Sequence, residues 1–136
     1  MAKNNKKLGN WGEDQACMFL MKRGFSILAR NKSYKSGELD IVALKDSVLL
    51  VVEVKTSFIK NLTQDTESFR PELRVSHQKK QKIRKALAEY LREFKESGGE
   101  ESEANNFKTI SYAVIAIQIC KETRSGRIRF IHDLVF

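Results

Sequence analysis

Cysteine, histidine, proline and long apolar runs are all scarce in this sequence. The two cysteines, Cys17 and Cys120, lie far apart and match no metal-binding or redox spacing, so we expect two reduced, packed thiols. No apolar run approaches the ~20 residues that a membrane-spanning helix needs. The basic start MAKNNKK is not followed by the uninterrupted apolar stretch of a secretory signal. These absences predict a cytoplasmic protein with no membrane partner.

Two further absences narrow the possible chemistry. The sequence has no glycine-rich phosphate loop and no Ser-His-Asp arrangement. Its two histidines, His77 and His132, lack the spacing of metal ligands and are expected at the surface. The single tryptophan, Trp11, is expected in the core or in an interface.

Positive charge is what the sequence has in excess. Twenty-five Lys and Arg residues against 17 Asp and Glu residues give a net charge of +8 over 136 residues. This balance favours a polyanionic partner, and nucleic acid more than a membrane surface. The alternative is that the charge serves solubility alone. The length indicates one domain, residues 1–136.

The pattern of apolar and turn residues predicts an α/β fold with the order α-β-β-β-α-β-β, a mixed sheet flanked by helices. After a basic tail (1–7), a helix runs from Leu8 to about Gly24, and the glycine ends it. Three strands follow, at residues 25–31, 38–44 and 48–56.

The second half of the chain is predicted to contain one long helix followed by two strands. Residues 57–75 hold the only proline and are interpreted as a loop. Ser76 is a suitable N-cap for a long helix with apolar residues at three- and four-residue spacing. An acidic linker loop (97–107) leads to the strand TISYAVIAIQIC, and a turn at Ser125-Gly126 leads to the last strand, RIRFIHDLVF.

Two carboxylates and a lysine interrupt the apolar strands of GELDIVALKDSVLLVVEVK. With residues 46–47 as a two-residue hairpin loop, the pairing register places Asp40 directly opposite Glu53. Alternate side chains of a strand share a face, so Lys55 lies on the same face as Glu53. Buried charges are usually paired or metal-bound. A plain Glu53–Lys55 ion pair, with Asp40 capping a turn, is the alternative.

Two carboxylates this close resist simultaneous ionisation, and a divalent cation removes the conflict. Mg²⁺ or Mn²⁺ is the expected cofactor, because Mg²⁺ typically takes one or two carboxylates together with phosphate oxygens and water. Lys55 would orient the attacking water, assist its deprotonation or stabilise the developing charge on phosphorus. Glu13 lies on a mostly apolar helix face and adds a third carboxylate aimed at the sheet. An exposed glutamate along the surface is the alternative.

The motifs GNWGEDQA, GFSILARN, SGELDIV and VVEVKTS resemble the YraN-like family of small bacterial proteins. That family is similar to archaeal Holliday-junction resolvases within the PD-(D/E)XK nuclease superfamily. The resemblance implies a restriction-endonuclease-like core in which Glu13 matches the helix glutamate and Asp40 the central aspartate. Glu53 and Lys55 match the E-x-K pair. Glu38 matches the acid of G-E-x-D, which supports the site or faces the substrate.

The start of the second long helix is strongly basic. Its cluster predicts contacts to phosphates, which position a duplex without reading its sequence. A solvated helix face is the alternative. In relatives of this family a Lys-Gln step near this helix start lies close to the active site, which adds Gln81 to the candidates. The candidate nucleic-acid-binding residues are Arg70, Arg74, Lys79, Lys80, Gln81, Lys82, Arg84 and Lys85.

Together these features predict a Mg²⁺-dependent endonuclease that hydrolyses DNA phosphodiesters, with branched or junction DNA among the substrates considered. A non-catalytic basic nucleic-acid-binding module that kept the nuclease fold is the alternative. A metal hydrolase acting on a small phosphorylated substrate is a third reading, which the basic helix disfavours. DNA is favoured over RNA as the partner. The sequence does not decide between a monomer and a homodimer.

Overall fold

A five-stranded sheet separates two helices in the computed structural model, which describes residues 2–60, 75–96 and 107–134. The elements, in chain order, are α1 (Ala2–Lys22), β1 (Ser26–Tyr34), β2 (Gly37–Lys45), β3 (Val48–Phe58), α2 (His77–Glu96), β4 (Thr109–Cys120) and β5 (Ser125–Leu134). The strands lie in the order β1-β2-β3-β4-β5, and all neighbours are antiparallel except the parallel pair β3–β4. The predicted α/β class and element order are confirmed.

Both faces of the sheet are covered, which explains the nearly continuous apolar runs of β2 and β3. Successive side chains alternate between two core clusters, one under each helix. The α1 cluster joins Ala16, Cys17 and Leu20 to Ile41, Ala43, Leu50 and Val52, among others. The α2 cluster joins Ile83, Ala86, Leu87 and Tyr90 to Val42, Leu49 and Val51, among others. The sheet is therefore the middle layer of three.

The predicted β2–β3 hairpin is confirmed. Asp46 and Ser47 both have positive φ, 49° and 65°, as a two-residue turn that matches the twist of its strands requires. Antiparallel pairing runs from Lys45–Val48 to Ile41–Val52. This register decides where the acidic side chains lie.

Several predicted boundaries shift. The helix predicted from Leu8 begins at Ala2, so the expected basic tail belongs to α1. Strand β3 continues through Phe58, which shortens the predicted 57–75 loop. Residues 61–74 and 97–106 lie outside the described residues, so the rest of that loop and most of the acidic linker stay predictions.

The turn predicted at Ser125-Gly126 is wrong. These residues pair with Cys120 and Ile119 within β5, and the chain turns earlier, over residues 121–124, where Arg124 has a φ of 52°. A Cβ on Gly126 would lie 3.0 Å from the carbonyl oxygen of Gln118. That glycine therefore permits a close approach of two strands.

The predicted positions of the tryptophan, the cysteines and the histidines have different outcomes. Trp11 is 43% exposed, so it does not lie in the core, and the alternative, a place in an interface, stays a prediction. Both cysteines are buried and free, and both histidines are exposed, as predicted. Within the described ranges, neither helix is long and apolar enough to cross a membrane.

Gly12 sets how closely α1 approaches β3. A Cβ at this position would overlap the Oγ1 atom of Thr56 and lie 3.3 Å from its Cβ. Gly9, one turn earlier in the same helix, is exposed, and a Cβ added there would meet no neighbouring atom within 4 Å. The two glycines therefore form a matched pair for substitution.

We expect Gly12→Ala to lower the free energy of unfolding by about 1–3 kcal/mol, because overpacking forces the helix away from the strand. Gly9→Ala should raise it by about 0.5–1 kcal/mol, since alanine is the better helix former. Adding Thr56→Ala to Gly12→Ala should restore part of the loss. Denaturant unfolding measures all four proteins, and equal effects at both glycines would contradict the close contact.

Candidate functional site

The backbone pairing of β2 with β3 stops at Ile41–Val52, one step before the two acids. There the side chain of Asp40 replaces a backbone partner, because its Oδ2 accepts a 2.9 Å hydrogen bond from the N–H of Val54. Asp40 and Glu53 do meet as predicted, but by their side chains and beyond the end of the ladder. Two cavities open at this end of the sheet, and both acids line each of them.

The two carboxylates share a partly dry environment. The side chain of Glu53 is only 10% exposed. Burial, together with the adjacent Glu53 carboxylate, raises the pKa of Asp40 from 3.8 to about 7, although the Val54 N–H and Lys79 act in the opposite direction. Near neutral pH, Asp40 therefore holds a proton in part of the molecules, and that proton can bridge to Glu53.

A lysine of α2 forms an ion pair with this acid pair. The ammonium of Lys79 contacts the Oε1 atom of Glu53. The backbone N–H of Lys79 also donates a 3.1 Å hydrogen bond to the Oγ of Ser76, which confirms the predicted N-cap of α2. Since the cap fixes the first turn of the helix, it fixes the origin of the Lys79 side chain.

The predicted lysine of the E-x-K motif lies further along the strand. Lys55 is half-buried and paired with Ala116 of β4. Alternation places it on the same side of β3 as Glu53. Lys55 is not among the described residues that line the two cavities. Its catalytic role stays a prediction.

The first cavity, of about 360 Å³, brings Glu13 to the acid pair from the α1 side of the sheet. The Oε1 atom of Glu13 is buried and has no hydrogen-bond partner within the described chain. Burial first, and then the charge of Asp40, raises the pKa of Glu13. The remaining lining residues are Leu8, Gly9, Val54 and Thr56. Glu13 thus approaches from the layer opposite to Lys79.

The second cavity, of about 340 Å³, opens on the α2 side. Glu38 lies at its rim and is exposed, and its place toward a substrate stays a prediction. A Cβ on Gly37 would lie 2.9 Å from the carbonyl oxygen of Lys82, so this glycine lets α2 approach β2 closely. Besides the acid pair, the lining consists of Gly37, Glu38, Ser76, Gln78, Lys79, Lys82 and Ile83.

The other predicted nucleic-acid contacts divide into three groups. Arg84 and Lys85 are exposed on α2, and Lys80 is half-buried there. Gln81 contacts the His77 ring at 3.1 Å. Arg70 and Arg74 lie outside the described residues.

Gln78, Ser76 and Thr56 line the cavities although sequence reasoning did not select their side chains for the site. Their nearness depends on how each helix docks against the sheet. The helical period alone does not give this orientation. The one available signal was the N-cap, which marks where the first turn of α2 begins.

The donor chemistry of Asp40 and Glu53 fits a hard divalent cation. Two contacting carboxylates provide the charge, and the unpartnered oxygen of Glu13 lies across the first cavity. No three His, Cys, Asp or Glu side chains in the described ranges form a ready metal-ligating group. A cation here would rest on the acid pair and water, a common coordination for Mg²⁺. Glu13 as a third ligand stays a prediction.

The raised pKa of Asp40 predicts how stability depends on pH. Between about pH 4 and 7 the folded protein keeps a proton that the unfolded chain has lost, so its stability falls as the pH rises. The Asp40→Asn variant has no ionisable group at this position, so it does not lose stability in this way. Without metal, the variant should match wild type near pH 4 and be more stable near pH 8, by a few kcal/mol at most. Denaturant unfolding in a chelator checks this, and a less stable variant at both pH values would indicate a structural cap.

Comparison with known proteins places the chain in a family. Residues 12–130, which include all three acids, match the model described as "Uncharacterised protein family UPF0102". A UPF0102 protein of Syntrophomonas wolfei is 36% identical over 115 residues, which cover 85% of this chain and 87% of the relative. UPF0102 protein CPE1705 of Clostridium perfringens strain 13 is 40% identical over 91 residues, 67% of this chain and 70% of the relative.

A UPF0102 protein from another Clostridium perfringens strain is 44% identical over 68 residues, 50% of this chain. The match spans 56% of that relative's length. These matches agree with the YraN-like motifs read from the sequence. The chain belongs to the UPF0102, or YraN-like, family.

Proposed function

We propose that this protein is a divalent-cation-dependent nuclease that hydrolyses phosphodiester bonds of DNA. The observation that carries the proposal is the contact of Asp40 with Glu53 in a partly dry site, with the pKa of Asp40 raised to about 7. Crowded, buried acids are unfavourable without a positive partner. A protein that only binds DNA has no need of such a pair. The motif resemblance to PD-(D/E)XK nucleases and archaeal resolvases supports the same chemistry.

Each residue has a role in this proposal. Asp40 and Glu53 hold the cation, and the Val54 N–H fixes the orientation of Asp40. When bound there, Mg²⁺ or Mn²⁺ would polarise a phosphoryl oxygen and make hydroxide available near neutral pH. Glu13 would accept a hydrogen bond from water in the first cavity through its unpartnered oxygen. Lys55 would orient that water or stabilise negative charge on the phosphate.

The basic start of α2 supports a polyanionic substrate. Lys79 and Lys82 line the second cavity beside the acid pair, and Arg84 and Lys85 are exposed further along the helix. Cations placed in this way contact phosphates and position a strand without reading its bases. The exposed acid Glu38 at the same rim would face the substrate. Branched DNA is the substrate form that the resolvase resemblance suggests.

One observation favours the second candidate, a non-catalytic DNA-binding module. Lys79 forms an ion pair with Glu53 and so neutralises one of the two acids. If this ion pair is permanent, the acids only support the start of α2, and the basic helix binds DNA without cleaving it. The two candidates differ in their response to Mg²⁺.

We expect Mg²⁺ to raise the thermal unfolding midpoint of wild type by mass action, and to raise that of Asp40→Asn much less. Cleavage of DNA, assayed on linear, nicked and four-way-junction substrates, should fall by orders of magnitude in the same variant. Asp46→Asn is the matched control, because this exposed turn residue has a φ of 49° that asparagine tolerates. Equal Mg²⁺ responses in wild type and Asp40→Asn, with no cleavage by either, would favour the binding module.

Binding to duplex DNA should depend strongly on salt, because each neutralised phosphate contributes about −0.9 to the slope of log affinity against log salt. Replacing Lys82 and Lys85 with alanine should flatten this slope and weaken all sequences alike. Replacing Arg92 and Lys95, exposed at the other end of α2, is the matched control. Fluorescence anisotropy over a salt series measures both. Identical slopes in the two double variants would mean that the start of α2 does not form the interface.

A further inference from the structure

Lys79 and Glu53 form an unequal ion pair. The Lys79 side chain is 48% exposed, whereas the Glu53 side chain is 10% exposed. The carboxylate is fixed among the strands, and the ammonium is carried on a long flexible stem that reaches it from solvent. The lysine can therefore leave this contact without disturbing the core, and the glutamate cannot.

The ion pair occupies the same carboxylate that the proposed cation requires. Lys79 contacts Oε1 of Glu53, and Asp40 touches the same residue. An ammonium and a divalent cation offer alternative ways to relieve the repulsion between the two acids. Because the Lys79 ammonium is half-exposed, solvent screens this ion pair, so a strongly bound cation can displace it.

After it leaves Glu53, the Lys79 side chain still lies in the second cavity. Lys79 lines the second cavity together with Lys82, Gln78 and Ser76, all from the start of α2. Among the described residues that line this cavity, those of the α2 start carry no carboxylate, and the acids come from β2 and β3. An ammonium that leaves Glu53 thus remains beside a group of donors suited to a phosphate.

We propose that Lys79 is the counter-ion of the acid pair in the metal-free protein, competes with the divalent cation for Glu53, and binds a substrate phosphate once it is released. This inference rests on the proposed metal site. It makes Lys79 a positioning residue that links two ligands. A cation frees Lys79 for a phosphate, and a phosphate that holds Lys79 frees Glu53 for a cation. Such coupling is reciprocal by thermodynamic necessity.

Cation affinity tests the competition directly, without any assay of cleavage. Mg²⁺ and Mn²⁺ are titrated into the metal-free full chain by calorimetry, at fixed ionic strength and pH. Lys79→Gln should bind either cation about three- to tenfold more tightly than wild type, because nothing has to be displaced. Lys95→Gln removes the same charge from an exposed position in the last turn of α2 and should stay within about twofold of wild type.

A second substitution predicts the opposite sign. Lys79→Arg keeps the charge but allows a bidentate contact with the carboxylate. It should therefore bind the cation no more tightly than wild type, and more weakly if both guanidinium contacts form. This variant keeps the result interpretable even if Lys79→Gln folds poorly. A cation affinity of Lys79→Gln equal to or below that of wild type would overturn the inference.

Phosphate coupling is measured with dimethyl phosphate, a minimal phosphodiester, titrated by NMR with and without Mg²⁺. The tightening caused by Mg²⁺ should be smaller in Lys79→Gln than in wild type, and unchanged in Lys95→Gln. Equal coupling in all three would overturn the release of Lys79. If no variant binds a cation, or if Asp40→Asn binds it as wild type does, the proposed metal site fails, and the inference fails with it. Failure of the inference alone is recognised by cation binding that requires Asp40 and ignores Lys79.

Discussion

The site depends on one hydrogen bond, from the Val54 N–H to the carboxylate of Asp40. In a regular ladder this N–H would find a backbone carbonyl of the neighbouring strand. Here the ladder has already ended at Ile41–Val52, and a side chain serves as the acceptor. A buried N–H needs some partner. The same bond that satisfies the backbone therefore holds an acid inside the sheet, next to a second acid.

Close helix contacts place the other groups around this point. Gly12 allows α1 to approach Thr56, which brings Glu13 over the first cavity. Gly37 allows the backbone of α2 to approach β2, which brings Lys79 to Glu53 from the other layer. The acid pair is thus reached from both faces of the sheet. The helices cover both faces of the sheet, and polar side chains reach its interior at the end where β2 and β3 stop pairing.

The sequence predicted the hairpin well because its determinants are local. Two turn residues and the alternation of apolar side chains suffice to set the register from Lys45–Val48 to Ile41–Val52. The convergence of Asp40 and Glu53 followed from that register. The point at which the ladder ends did not follow from the register. It depends on the Asp40 side chain, which competes with the backbone for the N–H of Val54.

Helix docking was the least predictable feature. The basic cluster of α2 is predicted from the sequence to contact phosphates, yet the contact of Lys79 with Glu53 depends on the angle at which the helix crosses the sheet. The first two residues of β5 were mistaken for a turn, since Ser-Gly is typical of turns and the need of Gly126 for space beside Gln118 arises only in the folded sheet.

The parallel pairing of β3 with β4 has a consequence for the order of folding. The acids belong to α1, β2 and β3, and short connections join these elements through β1, with β1–β2 and β2–β3 forming antiparallel hairpins. Lys79 and the partner strand β4 follow only after the chain has left β3 at Phe58. Contacts between distant parts of a chain form slowly, whereas hairpins form early. We therefore expect the crowded carboxylates to come together before their counter-ion arrives, so protonated acids favour the early hairpin, and the docking of α2 reduces that preference without removing it.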